Sequence, residues 1–208
     1  GFRVGDNVLN NGTLNNLSYN LNFSRSSAGP SLIFPTYGSE FSFGVKATFP
    51  YSLFTDKSYD EPANLTALEQ NDFLADKYKW LEYYKFNAKG KWYTSFTDKL
   101  VLMTNAEFGF LGFYNDDLGQ TPFERYFVGG DGIAQFQLDG RETVGLRGYE
   151  NNRLSSIAGG TIYNKFQLEL RYSITDAPSA SIYTLGFLEA GNSYDNFNTF
   201  NPFNVKRS

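Results

Sequence analysis

Cysteine and histidine are both absent from this 208-residue sequence. Without thiols there are no disulfides and no thiolate metal sites. Without imidazole there is no Ser-His-Asp triad and no ready general base at neutral pH, so most enzyme classes lose their usual reacting groups. Positive charge is not in excess either: 18 Lys and Arg stand against 22 Asp and Glu, a formal net charge of −4. No basic stripe offers itself to a phosphate backbone, and nucleic acid is not an expected partner. Long apolar runs are also missing, none approaching the roughly 18–20 residues of a membrane-spanning helix. That excludes helical spans only. A transmembrane strand needs about 9–11 tilted residues with every second one apolar, which a mean hydropathy of −0.41 permits.

What is abundant favours strands. The 21 Phe, 15 Tyr and 20 Gly suit β structure with many turns, and six segments can be read at period two. Residues 17–25 place Leu17, Tyr19, Leu21 and Phe23 on one face and Ser18, Asn20, Asn22 and Ser24 on the other. Residues 41–49 set Phe41, Phe43, Val45, Ala47 and Phe49 against Ser42, Gly44, Lys46 and Thr48. From 84 to 92, Tyr84, Phe86, Ala88, Gly90 and Trp92 oppose Lys85, Asn87, Lys89 and Lys91. Residues 100–111 split less cleanly, with Glu107 on the wet face beside Val101, Met103, Asn105, Gly109 and Leu111. Residues 165–174 alternate throughout, Phe166, Leu168, Leu170, Tyr172 and Ile174 against Lys165, Gln167, Glu169, Arg171 and Ser173. Residues 181–191 are apolar on both faces, so periodicity leaves the direction of Glu189 open.

The connections alternate in length: long at about 51–78, short at 97–99, long at 115–160, short at 175–180, and long again from about 195. Tight turns at one end and long loops at the other predict an all-β fold, an antiparallel up-and-down transmembrane β-barrel of the outer-membrane kind. The 51–78 loop is acidic (Asp56, Asp60, Glu61, Asp72, Asp76) and reads as a solvated surface, with a short helix in LTALEQNDFLADKYKW as an alternative. Six strands cannot close a barrel, since single-chain bacterial barrels start at about 8, and an open edge does not survive in lipid. Residues 1–208 are therefore expected to be a partial barrel domain, one section of a larger barrel.

One more stretch carries information: TVGLRGYENN (143–152), late in the long 115–160 loop, after PFERYFVGG (122–130) and the Gly-rich DGIAQFQLDG. Here the sequence resembles the BamA family of outer-membrane β-barrel assembly factors, and more broadly its transporter superfamily. The family's loop-six signature is an aliphatic-Arg-Gly-aromatic quartet, matched by Leu146, Arg147, Gly148 and Tyr149. The order of other motifs adds weight: IFPTYGSEFSF (33–43) and PFERYFVGG upstream, GGTIYNKFQLELRY (159–172) and FLEAGNSY (187–194) downstream. The last is similar to the family's F-x-D-x-G strand, with Glu189 standing where Asp is usual.

The resemblance implies an incomplete part of a barrel of about 16 strands in the bacterial outer membrane, with the periplasmic repeat domains and the first and last barrel strands lying outside this chain. It implies that loop six folds back into the lumen, where Arg147 meets acidic groups on the inner wall. Glu169 is placed there by alternation, and Phe187, Glu189 and Gly191 by resemblance. Arginine suits such a position because its guanidinium stays charged and presents five donors in a planar fork that can bridge two carboxylates.

The implied activity is non-enzymatic and needs no cofactor: insertion of unfolded outer-membrane proteins by lateral opening and β-augmentation. Its partners would be those clients, accessory subunits including lipoproteins, the lipid bilayer and lipopolysaccharide. The alternatives are a secretion or translocation barrel of the same superfamily, or a porin-like channel lined by Lys46, Lys85, Lys89 and Lys91.

Overall fold

Alternating residues become strands here because only a pleated chain sends them all to the proper side, apolar out and polar in. The computed structural model describes residues 2–4, 7–55, 59–60, 62, 64–131, 141–177 and 180–207. Most of the Gly-rich stretch after Gly130, Pro178 and Ser179 of the 175–180 connection, and Asp56 and Glu61 of the acidic loop lie outside the described residues.

Two short strands, β1 (Phe2–Val4) and β2 (Asn7–Leu9), pair with each other at the start. The main sheet is built from β3 (Ser18–Ser26), β5 (Pro35–Thr48), β6 (Tyr84–Ser95), β7 (Leu100–Gly112), β10 (Ile162–Ala177) and β11 (Ala180–Tyr194). The two-residue β4 (Gly29–Pro30) flanks β5. Inside the long loop after β7, β8 (Tyr126–Val128) and β9 (Glu142–Val144) pair in parallel. A final short strand, β12 (Lys206–Arg207), pairs with β11. Along the sheet the order is β12-β11-β10-β7-β6-β5-β3, each long strand antiparallel to its sequence neighbours in the sheet. This is an up-and-down meander, open at β3 and β12. Each of the six segments that can be read at period two lies almost wholly within one of its long strands.

One face is apolar and exposed, with Leu21 at 73% and Leu188 at 66%. That is reasonable only for a surface that meets lipid or another protein. The opposite face is less wet than alternation suggests. Val101, Met103 and Leu111, all on the face shared with Glu107, are almost fully buried. At the short-turn end, Phe34 folds inward from the β3–β5 connection and packs with Tyr93, Val101 and Met103. At the long-loop end, Leu111 joins a cluster with Tyr83, Tyr126, Val144, Leu146 and Tyr163. The interior is thus packed by loop side chains at both ends and polar between.

The acidic loop does form a helix, α1 (Ala67–Lys77), within the stretch named as an alternative to a plain loop. Its start is fixed by a capping box: the Glu69 N–H donates to the Thr66 hydroxyl, and the Thr66 N–H donates to the Glu69 carboxylate. Leu74 and Tyr78 at its far end anchor it onto the cluster above the sheet. After β11, Phe197 and Phe200 lie against Phe110 and Phe108 of the outer face, and the buried Asn164 amide donates to the Pro202 carbonyl at 3.0 Å.

Candidate functional site: the loop tip on the inner wall

The wall half of the site is set by strand register. In the β10–β11 pair, Glu169 lies opposite Phe187 and Gln167 opposite Glu189. The two carboxylates are diagonal neighbours on one face, a spacing that side chains can span. Both are desolvated, with side-chain exposures of 5% for Glu169 and 1% for Glu189. Two carboxylates so placed need compensating donors.

Arg147 supplies them. Its Nη2 donates to Glu169 Oε1 at 2.6 Å and lies 2.6 Å from Glu189 Oε1, while its Nε donates to the same Glu189 oxygen at 2.6 Å. Its backbone N–H donates to Glu189 Oε2 at 2.8 Å. The guanidinium lies over the Phe187 ring, 3.7 Å from its centroid, a cation–π contact that shields one face of the fork. Burial alone would lower the Arg147 pKa; the hydrogen bonds and charges of Glu169 and Glu189 outweigh it and hold the value above the ordinary one.

The rest of the quartet fits the same wall. Leu146 is fully buried and sits against Gly191, where an added Cβ would lie 3.4 Å from Leu146 Cδ1 and 2.7 Å from the Asn164 carbonyl oxygen. Gly191 leaves the space that the loop tip uses. Gly148 has φ of 86°, in the left-handed region that favours glycine, and so turns the chain away after the arginine. The Tyr149 hydroxyl donates to the Arg207 carbonyl on β12 at 2.8 Å. One donor comes the other way: Lys165 Nζ donates to the Gly145 carbonyl at 2.6 Å.

All eight residues singled out from sequence therefore lie in or around one contact: Leu146, Arg147, Gly148 and Tyr149 from the loop, Glu169, Phe187, Glu189 and Gly191 from the wall. Sequence reasoning missed the supports of Glu169. Arg171 donates to its Oε2 through Nε at 2.9 Å and Nη2 at 2.6 Å, and Gln167 donates to Oε1 at 2.5 Å. Both lie two positions from Glu169, so the alternation that placed it could have named them. The lysines proposed as pore lining are also partnered. Lys89 pairs with Glu107 at 2.9 Å, Lys91 with Glu40 at 3.4 Å, and Lys46 with Glu124 at 2.6 Å; Lys85 meets Glu142 at 2.7 Å. Among the described residues no group of three or more Asp or Glu side chains is placed to hold a metal ion.

An antiparallel meander with an exposed apolar face, and a polar face gripped by its own loop, defines a section of an outer-membrane-type β-barrel wall. The sequence comparison agrees: a model of the Omp85 superfamily domain matches residues 3–208, and the chain belongs to that superfamily of outer-membrane β-barrels. No curated protein sequence matches it.

Proposed function

We propose that this chain is the wall and loop-six region of an outer-membrane protein assembly and insertion factor, the BamA-type barrel of the β-barrel assembly machinery. The observation that supports this reading is the Arg147 fork held between Glu169 and Glu189, together with membership of the Omp85 superfamily. Leu146–Tyr149 act as a structural latch, with Phe187 and Gly191 as the floor on which it rests. The latch keeps the barrel wall in one shape while the barrel opens sideways elsewhere, offering a strand edge to which an unfolded outer-membrane protein adds by β-augmentation. The role is non-enzymatic and uses no cofactor. Its partners are the unfolded clients, accessory lipoproteins, and the surrounding bilayer with its lipopolysaccharide.

Depletion of the full-length protein tests this. Several unrelated outer-membrane barrels should then accumulate unfolded, as read by loss of their heat-modifiable gel mobility. Loss of export of a single polypeptide, with other barrels folding normally, would instead assign the chain to a translocation pore of the same superfamily. Reduced small-solute uptake alone would point to a porin-like channel.

A further inference from the structure

The inner wall carries two lysines that ordinary sheet rules disfavour. Lys46 on β5 and Lys85 on β6 are directly opposite each other in the register, where like charges repel. Lys85 is only 2% exposed, so its ammonium has almost no water to stabilise it. Both are served by one residue of the long loop. Lys46 Nζ donates to Glu124 Oε1 at 2.6 Å, while Lys85 Nζ donates to the Glu124 backbone carbonyl at 2.8 Å and lies 3.5 Å from its Oε2.

The loop is shaped for this contact. Glu124 has φ of 62°, a left-handed conformation uncommon for a residue with a side chain, and it is in this conformation that its carbonyl and carboxylate both meet Lys85. Lys85 also bonds Glu142 at 2.7 Å and lies 4.5 Å from the centroid of the Tyr126 ring. The Tyr126 hydroxyl donates to Asn87 Oδ1 at 2.7 Å, two positions along β6. One wall lysine therefore contacts the loop at both Glu124 and Glu142.

We propose that Glu124 with Lys46 and Lys85 is a second clasp, opposite in polarity to the Arg147 latch, and that the loop is a strap tying β5 and β6 to β10 and β11 across β7. At the tip the loop brings the cation and the wall the carboxylates; at the base the loop brings the carboxylate and the wall the cations. This arrangement opposes like charges if the loop is seated the wrong way round. The proposal rests on the geometry of the loop and stands whichever client the barrel handles.

The test uses the full-length protein in intact cells, with trypsin added outside and cleavage after the exposed Arg141 followed by mass spectrometry. Cleavage through local opening tracks the population of the open loop, so Lys85→Met should speed it at least about tenfold. Glu124→Gln should speed it less, because Glu142 still holds Lys85. The double variant should be faster than Lys85→Met alone, because Glu124→Gln also removes the bond from Lys46, but by less than the product of the two single effects. Wild-type cleavage in Lys85→Met, or fully additive effects, would overturn the clasp. If Lys85→Met does not accumulate, the swap Lys46→Glu with Glu124→Lys replaces it: protection should exceed that of Glu124→Lys alone, in which a loop lysine faces Lys46 and Lys85 together, and failure to do so counts equally against the proposal. Client assembly is scored in the same cells. A freed loop with normal assembly keeps the clasp and shows that assembly does not depend on it, while a protected loop overturns the clasp whatever assembly does; the assembly role itself stands or falls on the depletion experiment.

Discussion

Among the described residues, the loop between β7 and β10 pairs charges with the wall at its tip and at its base, and the two places differ in the sign of the buried charge that the wall carries. At the tip, the wall's Glu169 and Glu189 are desolvated while the Arg147 side chain keeps 33% of its exposure. At the base, the buried member is the wall's Lys85, at 3% side-chain exposure, and its loop partner Glu142 retains 39%. The most buried charge at each place therefore sits on a strand, whereas in the Lys46–Glu124 pair of the base the two side chains are similarly exposed, at 24% and 17%.

Removing the tip contact should give the largest effect. Arg147→Ala leaves Glu169 with Arg171 and Gln167, and leaves the buried Glu189 with the backbone N–H of residue 147 but without its charge partner; breaking a buried pair in this way costs roughly 3–5 kcal/mol. The folded barrel should lose its heat-modifiable mobility at a clearly lower temperature, and an unchanged transition would remove the latch. The swap Arg147→Glu with Glu189→Arg should recover part of the loss in a double-mutant cycle; absence of coupling would shift the contact to Glu169 alone.

A smaller effect is expected where the tip rests without charge. Gly191→Ala brings a Cβ to 2.7 Å from the Asn164 carbonyl oxygen and 3.4 Å from Leu146 Cδ1, an overpacking worth about 1–3 kcal/mol. It should loosen the tip, read as faster trypsin cleavage after Arg147, while leaving cleavage after Arg141 unchanged. Equal acceleration at both sites would mean the two contacts are not separate.

Acid should separate them further. Burial pushes the Glu124 carboxyl up, but its hydrogen bond from Lys46 and the charge of Lys85 outweigh burial and hold it below the usual carboxylate range. With the folded value below the unfolded one of about 4.3, its contribution is complete above that pH and is lost as pH falls through the folded value. The groups facing it are Lys46 from β5, Lys85 from β6, and Tyr83 and Asn16 beside them. Amide exchange at residues 124–128, corrected for its intrinsic pH dependence, should quicken below that range in the wild type; Glu124→Gln should lack this component.

The smallest effect belongs to the exposed pair. Lys91 and Glu40 are 3.4 Å apart with about a third of each side chain exposed, so Lys91→Ala should change stability by about 0–1 kcal/mol. A larger loss in the same thermal assay would mean that position along the wall, rather than burial, sets the strength of these contacts.

The strands were legible because alternation is local: Phe166 and Gln167 report their faces through their neighbours alone. Glu169 could be placed by that rule. Glu189 could not, since Tyr183, Leu185 and Phe187 share its face and make both sides of β11 apolar; its direction came from resemblance, and the structure places it beneath Arg147. Alternation also misjudged Val101 and Met103, which lie on the polar face yet are buried because Phe34 folds in from a distant connection.

By itself, then, the sequence determined the meander, its two faces, the sorting of short turns from long loops, and the loop quartet that bears Arg147. Tertiary structure alone decided which charges meet. Lys46 and Lys85 are 39 residues apart in sequence, and Glu124 lies beyond both; only strand register sets the lysines side by side, and only the fold of the loop returns a carboxylate to them. A pairing between distant charges depends on distance and burial in space, and neither quantity is written in local residue order.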